Sequence, residues 1–217
     1  MKDTEVWAAV DERRRALADL LAGLTPEEWD RPSLCEAWTV REVAAHLTLA
    51  GMPRFRLYRF FLRYPGSINR TIRDASKAVA RTLSNDQIRD NLRAMVGLHR
   101  PVPGLTGREA LIDAVGHTLD IAVPLGREVS LPPEVVAEAA DHVIASRRTP
   151  NAQVFRALPL EGLRLVATDH DWADGTGPEV TGTMTDLFLV LTGRRAHLDR
   201  LSGLGAELLH QRLAHPA

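Results

Sequence analysis

Apolar residues recur three or four positions apart along most of the first 150 residues, which is the spacing of one face of an α-helix. The first such stretch predicts a helix from near Thr4 to Leu24. Several later stretches begin with a capping box, in which a Ser or Thr precedes a Glu or Gln by three residues. These boxes begin at Thr25, Thr39, Ser84 and Thr106. We therefore predict that residues 1–150 form a helical bundle.

The pattern of apolar positions changes toward the C-terminus. One more helix is predicted after a Pro-Pro pair, from Glu134 to about Ser146. The segments LRLVATD and EVTGT then read as strands, separated by the turn-rich segment WADGTGP. Two further helices are predicted, one beginning near Met184 and one from Ala206 to Leu213. The fold class is therefore α+β, with a second domain predicted over residues 151–217.

Composition and charge exclude several kinds of protein. The chain has 217 residues, 45% of them hydrophobic, and a formal net charge of -1, so no global field favours nucleic acid. Its single cysteine, Cys35, excludes an internal disulfide and a metal site made of cysteines alone. The N-terminus lacks the apolar region of a signal peptide, and no apolar run is long enough to span a bilayer. We expect a cytoplasmic protein without a membrane partner, and the oligomeric state stays open.

The segment RFRLYRFFLR, from Arg54 to Arg63, is both basic and aromatic. Such a segment can bind an anion or a membrane surface. The alternative is an amphipathic helix that holds its arginines outside and its Phe, Leu and Tyr side chains inside. We favour the second interpretation at this point.

Three side chains on two predicted helices are candidates for a metal site. His46 lies beside the apolar face of the helix that begins after Thr39, so it needs a polar partner. Asp113 and His117 are four residues apart on a later helix and share one face. Together the three side chains would leave a coordination position open, which is the catalytic rather than the structural pattern. Asp120 can orient a ligand imidazole by accepting a hydrogen bond from its other ring nitrogen. A local Asp113–His117 salt bridge and a structural His46 are the alternatives.

The segment WDRPSLCEAWTVREVAAHL resembles the signature of the mycothiol-dependent maleylpyruvate isomerase family, within the larger DinB-like superfamily. The resemblance continues in DAVGHTLDIAVPLG, GLRLVATDHDW, GTGPEVTG and LFLVLTGRRAHLDRLSG. It implies an antiparallel four-helix bundle that binds a divalent metal, followed by a small domain resembling sterol carrier proteins. The resemblance therefore covers both predicted domains.

The resemblance also implies roles for particular residues. His46 and His117 match the two histidine ligands of the family, and Asp113 stands where the family more often has Glu or His. Zinc is the first expectation for two imidazoles and a carboxylate, with nickel, manganese and iron left open. In the family the metal binds a small thiol as thiolate, which attacks an electrophilic substrate. The implied cofactors are thus a divalent metal and mycothiol.

Two arginines have an implied role, and one cysteine has an excluded role. In isomerase-like members an arginine of the C-terminal domain holds a substrate carboxylate, and Arg194 after Gly193 is the better match, with Arg195 next. A solvated arginine at a helix end is the alternative. Cys35 lies in the signature loop, but we do not expect it to be the nucleophile, because small loop cysteines near a core are usually inert.

Two classes of function agree with these patterns. The first is a metal-dependent thiol transferase or isomerase that uses mycothiol or a similar thiol on a small electrophilic substrate. The second is a non-catalytic module that binds a metal or a small ligand for regulation or assembly. Fold alone does not choose between them.

Overall fold

The computed structural model describes residues 1–64, 67–146 and 158–215, and their contacts divide the chain into two compact units. The first unit is Met1–Val129 and the second is Ser130–Ala217. The division falls earlier than the boundary predicted near residue 150, because the helix before that point packs on a helix of the C-terminal part. No described helix is both long enough and apolar enough to cross a membrane.

The first unit is a helical bundle, as predicted. Its helices are α1 (Asp3–Ala22), α2 (Pro26–Trp29), α3 (Val40–Thr48), α4 (Arg54–Arg63), α5 (Ile68–Thr82), α6 (Asn85–Ala94) and α7 (Gly107–Ala122). Helix α3 packs on α5, α6 and α7, while α1 packs on α6 and α7. The only β pairing among the described residues of this unit is an isolated bridge between Pro32 and Thr39.

All four predicted capping boxes form, and one of them fixes the start of α3. The Thr39 hydroxyl accepts a hydrogen bond from the Glu42 amide at 3.3 Å. The Glu42 carboxylate accepts from the Thr39 amide at 3.0 Å. Two amides that would otherwise lack a helical partner are thereby satisfied. The first turn of α3 is thus fixed, and His46 follows in the last turn.

A core of small and branched side chains holds α3 in place. Val40, Val43 and Ala44 of this helix are fully buried, and Leu17 of α1 and Ile88 of α6 belong to the same cluster. The apolar face predicted for α3 is therefore a core face. His46 lies at its edge and is half-buried.

Helix α4 corrects the preferred interpretation of the basic and aromatic segment. We expected its aromatic and leucine side chains to point inward, but Phe55, Tyr58 and Leu62 are 62%, 61% and 84% exposed. Leu57 and Tyr64 are half-buried. Phe55, Tyr58 and Leu62 therefore form an apolar face toward solvent, and the simple inside–outside division was wrong for these three residues. The side chains of Phe60 and Phe61, which the same interpretation placed inside, lie outside the described residues.

The second unit contains α8 (Pro133–Ser146), β1 (Arg164–Ala167), β2 (Ala173–Gly175), β3 (Glu179–Gly182), α9 (Met184–Leu191) and α10 (Leu204–Ala214). The sheet order is β2-β1-β3, with β2 antiparallel and β3 parallel to β1. Helix α8 packs on α9, and α10 packs on β3. Strand β2 lies inside the segment that the sequence indicated as turns, so that part of the prediction was incomplete.

Candidate metal centre

Helices α3 and α7 bring the three predicted metal-ligand candidates together. One possible ligand atom each from His46, Asp113 and His117 lies within 4.8 Å of the others. The two imidazole rings have centroids 5.0 Å apart and meet edge to face at 85°. All three residues are half-buried, so the group is neither sealed in the core nor fully exposed.

His117 is oriented by Asp120, one helical turn further along α7. The Nδ1–H of His117 donates to Oδ2 of Asp120 at 2.9 Å, and the Asp120 side chain is fully buried. The Cys35 thiol donates to the same carboxylate oxygen at 3.0 Å. Its Sγ lies 3.8 Å from Nδ1 of His117. Because Nδ1 is used in this way, Nε2 of His117 is the nitrogen left for a ligand.

His46 is oriented by Ser76 of α5, which sequence reasoning missed. The Ser76 hydroxyl has one hydrogen, and Oγ donates it to the Ile72 carbonyl at 2.7 Å. Toward Nδ1 of His46, at 3.3 Å, the same oxygen therefore acts as an acceptor. Nδ1 carries the ring proton, and Nε2 of His46 is left for a ligand. Both histidines thus leave Nε2 for a ligand.

The signature loop between α2 and α3 is attached to α7 behind the histidines. The Leu34 amide donates to the Asp120 carbonyl at 3.0 Å, and the Arg31 guanidinium donates to the Pro124 carbonyl at 3.1 Å. Trp38, at the end of this loop, meets the His46 ring edge to face at 5.3 Å between centroids. The loop thereby fixes both Cys35 and Trp38 against the candidate site.

Burial and charge give the two imidazoles opposite tendencies to ionise. Burial, aided by the positive charge of His117, lowers the pKa of His46 to about 3. Burial also disfavours the charged form of His117, but the hydrogen bond to Asp120, aided by the nearby Cys35 sulfur, outweighs it and raises the pKa of His117 to about 10. At neutral pH one ring is therefore neutral, while the other is an imidazolium held by Asp120.

The donor set fits a divalent metal. Two atoms bound tetrahedrally to one zinc ion at about 2.0–2.2 Å are about 3.3–3.6 Å apart. The ligand atoms of His46, Asp113 and His117, which lie within 4.8 Å of one another, would need to approach by up to about 1.5 Å to bind one ion, which side-chain rotation can supply. A second group, Cys35, His117 and Asp120, meets the same limit. Its atoms are already joined by hydrogen bonds, so we assign it to positioning His117.

Arg194 follows the left-handed turn that ends α9. Gly193 has φ of +84°, a conformation that favours glycine. The turn lets the Arg194 amide donate to the Leu189 carbonyl at 2.8 Å. The half-buried Arg194 guanidinium donates to the Thr192 carbonyl, also at 2.8 Å. Arg195 is exposed.

Family models match both units of the chain. The mycothiol maleylpyruvate isomerase N-terminal domain matches residues 10–52, and the C-terminal domain of the same family matches residues 130–212. The chain belongs to the mycothiol-dependent maleylpyruvate isomerase family. The N-terminal match includes Cys35 and His46, and the C-terminal match includes Arg194.

Solved structures related to this isomerase family show the same fold. The chain is similar to a mycothiol-dependent maleylpyruvate isomerase and to its histidine-to-alanine mutant, at 15% and 14% identity. Both comparisons cover 95% of this chain and 94% of the other, with TM-scores of 0.61. No curated protein is significantly similar to the chain in sequence. The predicted fold class is thereby confirmed.

Proposed function

We propose that this chain is a metal-dependent isomerase that uses a low-molecular-weight thiol, mycothiol, on a small electrophilic substrate such as maleylpyruvate. The observation that supports this most strongly is the half-buried group of His46, Asp113 and His117 in a chain of this family. The family makes a purely non-catalytic binding module the less favoured alternative. A reducing cytoplasmic setting suits a thiol cofactor and a chain with one cysteine.

The proposed ligands are Nε2 of His46, Nε2 of His117 and the Asp113 carboxylate, and the proposed ion is zinc. When bound, such a cation lowers the pKa of a thiol and so supplies a thiolate nucleophile. Ser76 and Asp120 hold the two imidazole rings in the required tautomer and orientation. We keep Arg194 as the candidate for a substrate carboxylate, since a guanidinium matches a carboxylate with two parallel hydrogen bonds.

The proposal predicts turnover that needs both the metal and the thiol. Maleylpyruvate isomerisation should be observed by absorbance with zinc and mycothiol, and it should disappear when either is omitted. Arg194→Gln should raise KM for substrate more than it lowers kcat if the guanidinium binds the ground-state carboxylate, whereas Arg195→Gln serves as the exposed control. Unchanged turnover without thiol would contradict the proposed function.

Asp113 is the residue that departs from the usual family pattern, and its substitutions give a separate prediction. An Asp side chain is one methylene shorter than Glu, so we expect Asp113 to be the weakest of the three ligands. Asp113→Ala should lower zinc affinity less than His117→Ala does. Asp113→Glu should bind zinc at least as tightly as the native chain if the pocket has room for the methylene.

These affinities should be measured by competition with a chelator at one pH, because protons compete with the metal for each ligand. Unchanged affinity in Asp113→Ala would remove Asp113 from the site. Weaker binding by Asp113→Glu would show that the pocket is built around the shorter side chain.

A further inference from the structure

Helix α4 exposes a stripe of large apolar side chains that the catalytic proposal does not use. Phe55, Tyr58 and Leu62 are more than half exposed. Their spacing of three and then four residues places them on one face of the helix. Contiguous exposed apolar surface usually marks a contact with a partner or a membrane. The stripe is therefore a candidate interaction surface.

Four exposed arginines border this stripe, namely Arg54, Arg56, Arg59 and Arg63. Within residues 1–64, 67–146 and 158–215, none of these four forms an ion pair. The sequence from Val43 to Arg73 contains six arginines and no Asp or Glu, and the two that lie outside α4, Arg70 and Arg73, pair with Asp74. The surface of α4 therefore combines apolar side chains with uncompensated positive charge.

An open groove lies beside α4, with a volume of about 800 Å³. Arg56, Arg59 and Arg63 line it from α4, while Val79 and Leu83 contribute apolar surface from the other wall. Guanidinium groups on one wall and apolar side chains on the other suit a molecule that has an anionic head and an apolar body.

We propose that α4 is a docking surface for an anionic lipid bilayer. Phe55, Tyr58 and Leu62 enter the interface between headgroups and acyl chains, and the arginines lie at the level of the lipid phosphates. This proposal replaces the expectation of no membrane partner, and it does not depend on the metal site.

Charge complementarity favours a bilayer over the other occupants of this surface. A second copy docked through α4 would bring two sets of four arginines together, with no acidic residue in the segment to offset them. A small soluble anion would account for Leu62 and the three arginines that line the groove, but not for Phe55 and Tyr58, which do not line it. An anionic bilayer satisfies the arginines and the apolar stripe at once, and one short helix gives reversible binding.

The test is cosedimentation of the full chain with vesicles. Binding is expected to vesicles of phosphatidylcholine mixed with phosphatidylglycerol, and to be weaker on the order of tenfold with phosphatidylcholine alone. It should also weaken as salt is added. Replacing the stripe (Phe55→Ala, Tyr58→Ala and Leu62→Ala together), or replacing Arg54 and Arg59 with Gln, should abolish binding.

The matched control combines Leu204→Ala with Arg15→Gln. Leu204 is 70% exposed and Arg15 is also exposed, and both lie on other helices. This variant should bind vesicles like the native chain. The proposal would be overturned if the native chain did not bind vesicles, or if it bound neutral and anionic vesicles equally.

Two further results would identify a different occupant and would also overturn it. One is binding of a soluble short-chain phosphatidylglycerol as monomer without any binding to vesicles, which would assign the groove to a soluble amphiphile. The other is a dimer in sedimentation velocity that the stripe variant loses, which would assign the surface to self-association.

Discussion

Replacing either His46 or His117 with alanine should remove stoichiometric metal from the protein. The two rings come from different helices and lie 5.0 Å apart between centroids, and loss of either leaves the proposed site with two of its three protein ligands. Loss of an orienting partner of a ligand already costs about 10–100-fold in metal affinity, so loss of a ligand itself should cost more. The measurement is metal content by mass spectrometry, on protein purified without chelator or a metal-affinity tag.

The matched control is His210→Ala. His210 is an exposed histidine of α10 whose Nδ1 donates to the Ala206 carbonyl, so its loss changes the histidine count but not the site. This control should keep its metal. Circular dichroism should show that the His46 and His117 variants remain helical. Full metal content in both variants would show that the ligand assignment is wrong.

Ser76→Ala should lower the metal affinity, but by less than the loss of His46 itself. It leaves His46 in place but removes the hydroxyl that fixes the proton on Nδ1. The expected loss of affinity is about 10–100-fold. An unchanged affinity would mean that packing against Trp38 alone orients the ring.

Local signals in the sequence predict much of this fold because local physics determines it. A capping box satisfies the amides of a helix start within four residues, and the box at Thr39 therefore predicted the start of α3. Helical spacing of Val40, Val43 and Ala44 likewise predicted a face that is buried in the structure. Neither the start of α3 nor its buried face had to be predicted from the elements that α3 packs against.

The features that the sequence missed depend on distant contacts. Ser76 approaches His46 from another helix, 30 positions along the chain, and no spacing rule connects them. Strand β2 has only three residues and includes Gly175, so its composition indicates a turn, and pairing with β1 makes it a strand. Helix α4 has apolar residues on two faces, and periodicity does not decide which face the bundle covers.

Zinc binding should release one proton from His117 and should therefore strengthen with rising pH. The pKa of His46 is lowered to about 3 and that of His117 is raised to about 10, so between pH 7 and 9 only His117 carries an extra proton. An ion that binds Nε2 must displace it. Affinity should rise about tenfold per pH unit until the pH passes the folded pKa of His117, and should then level.

The sign of the accompanying stability change follows from the same pKa. The folded pKa of His117 lies above its ordinary value of 6.5. Its pairing with Asp120 therefore stabilises the metal-free protein fully below pH 6.5, and this contribution is lost as the pH rises through about 10. The thermal unfolding temperature of the metal-free protein should therefore fall over that interval, while that of the zinc-loaded protein should change less.

Proton release can be measured by titration calorimetry at pH 8 in buffers that differ in ionisation enthalpy. The native chain should release about one proton per zinc ion from His117. Asp120→Asn is the informative variant, because an amide oxygen keeps a hydrogen bond to Nδ1 but removes the negative charge. In that variant the pKa of His117 should fall, proton release at pH 8 should disappear, and affinity should become nearly independent of pH above neutrality. No proton release from the native chain would show that His117 is already neutral before zinc binds.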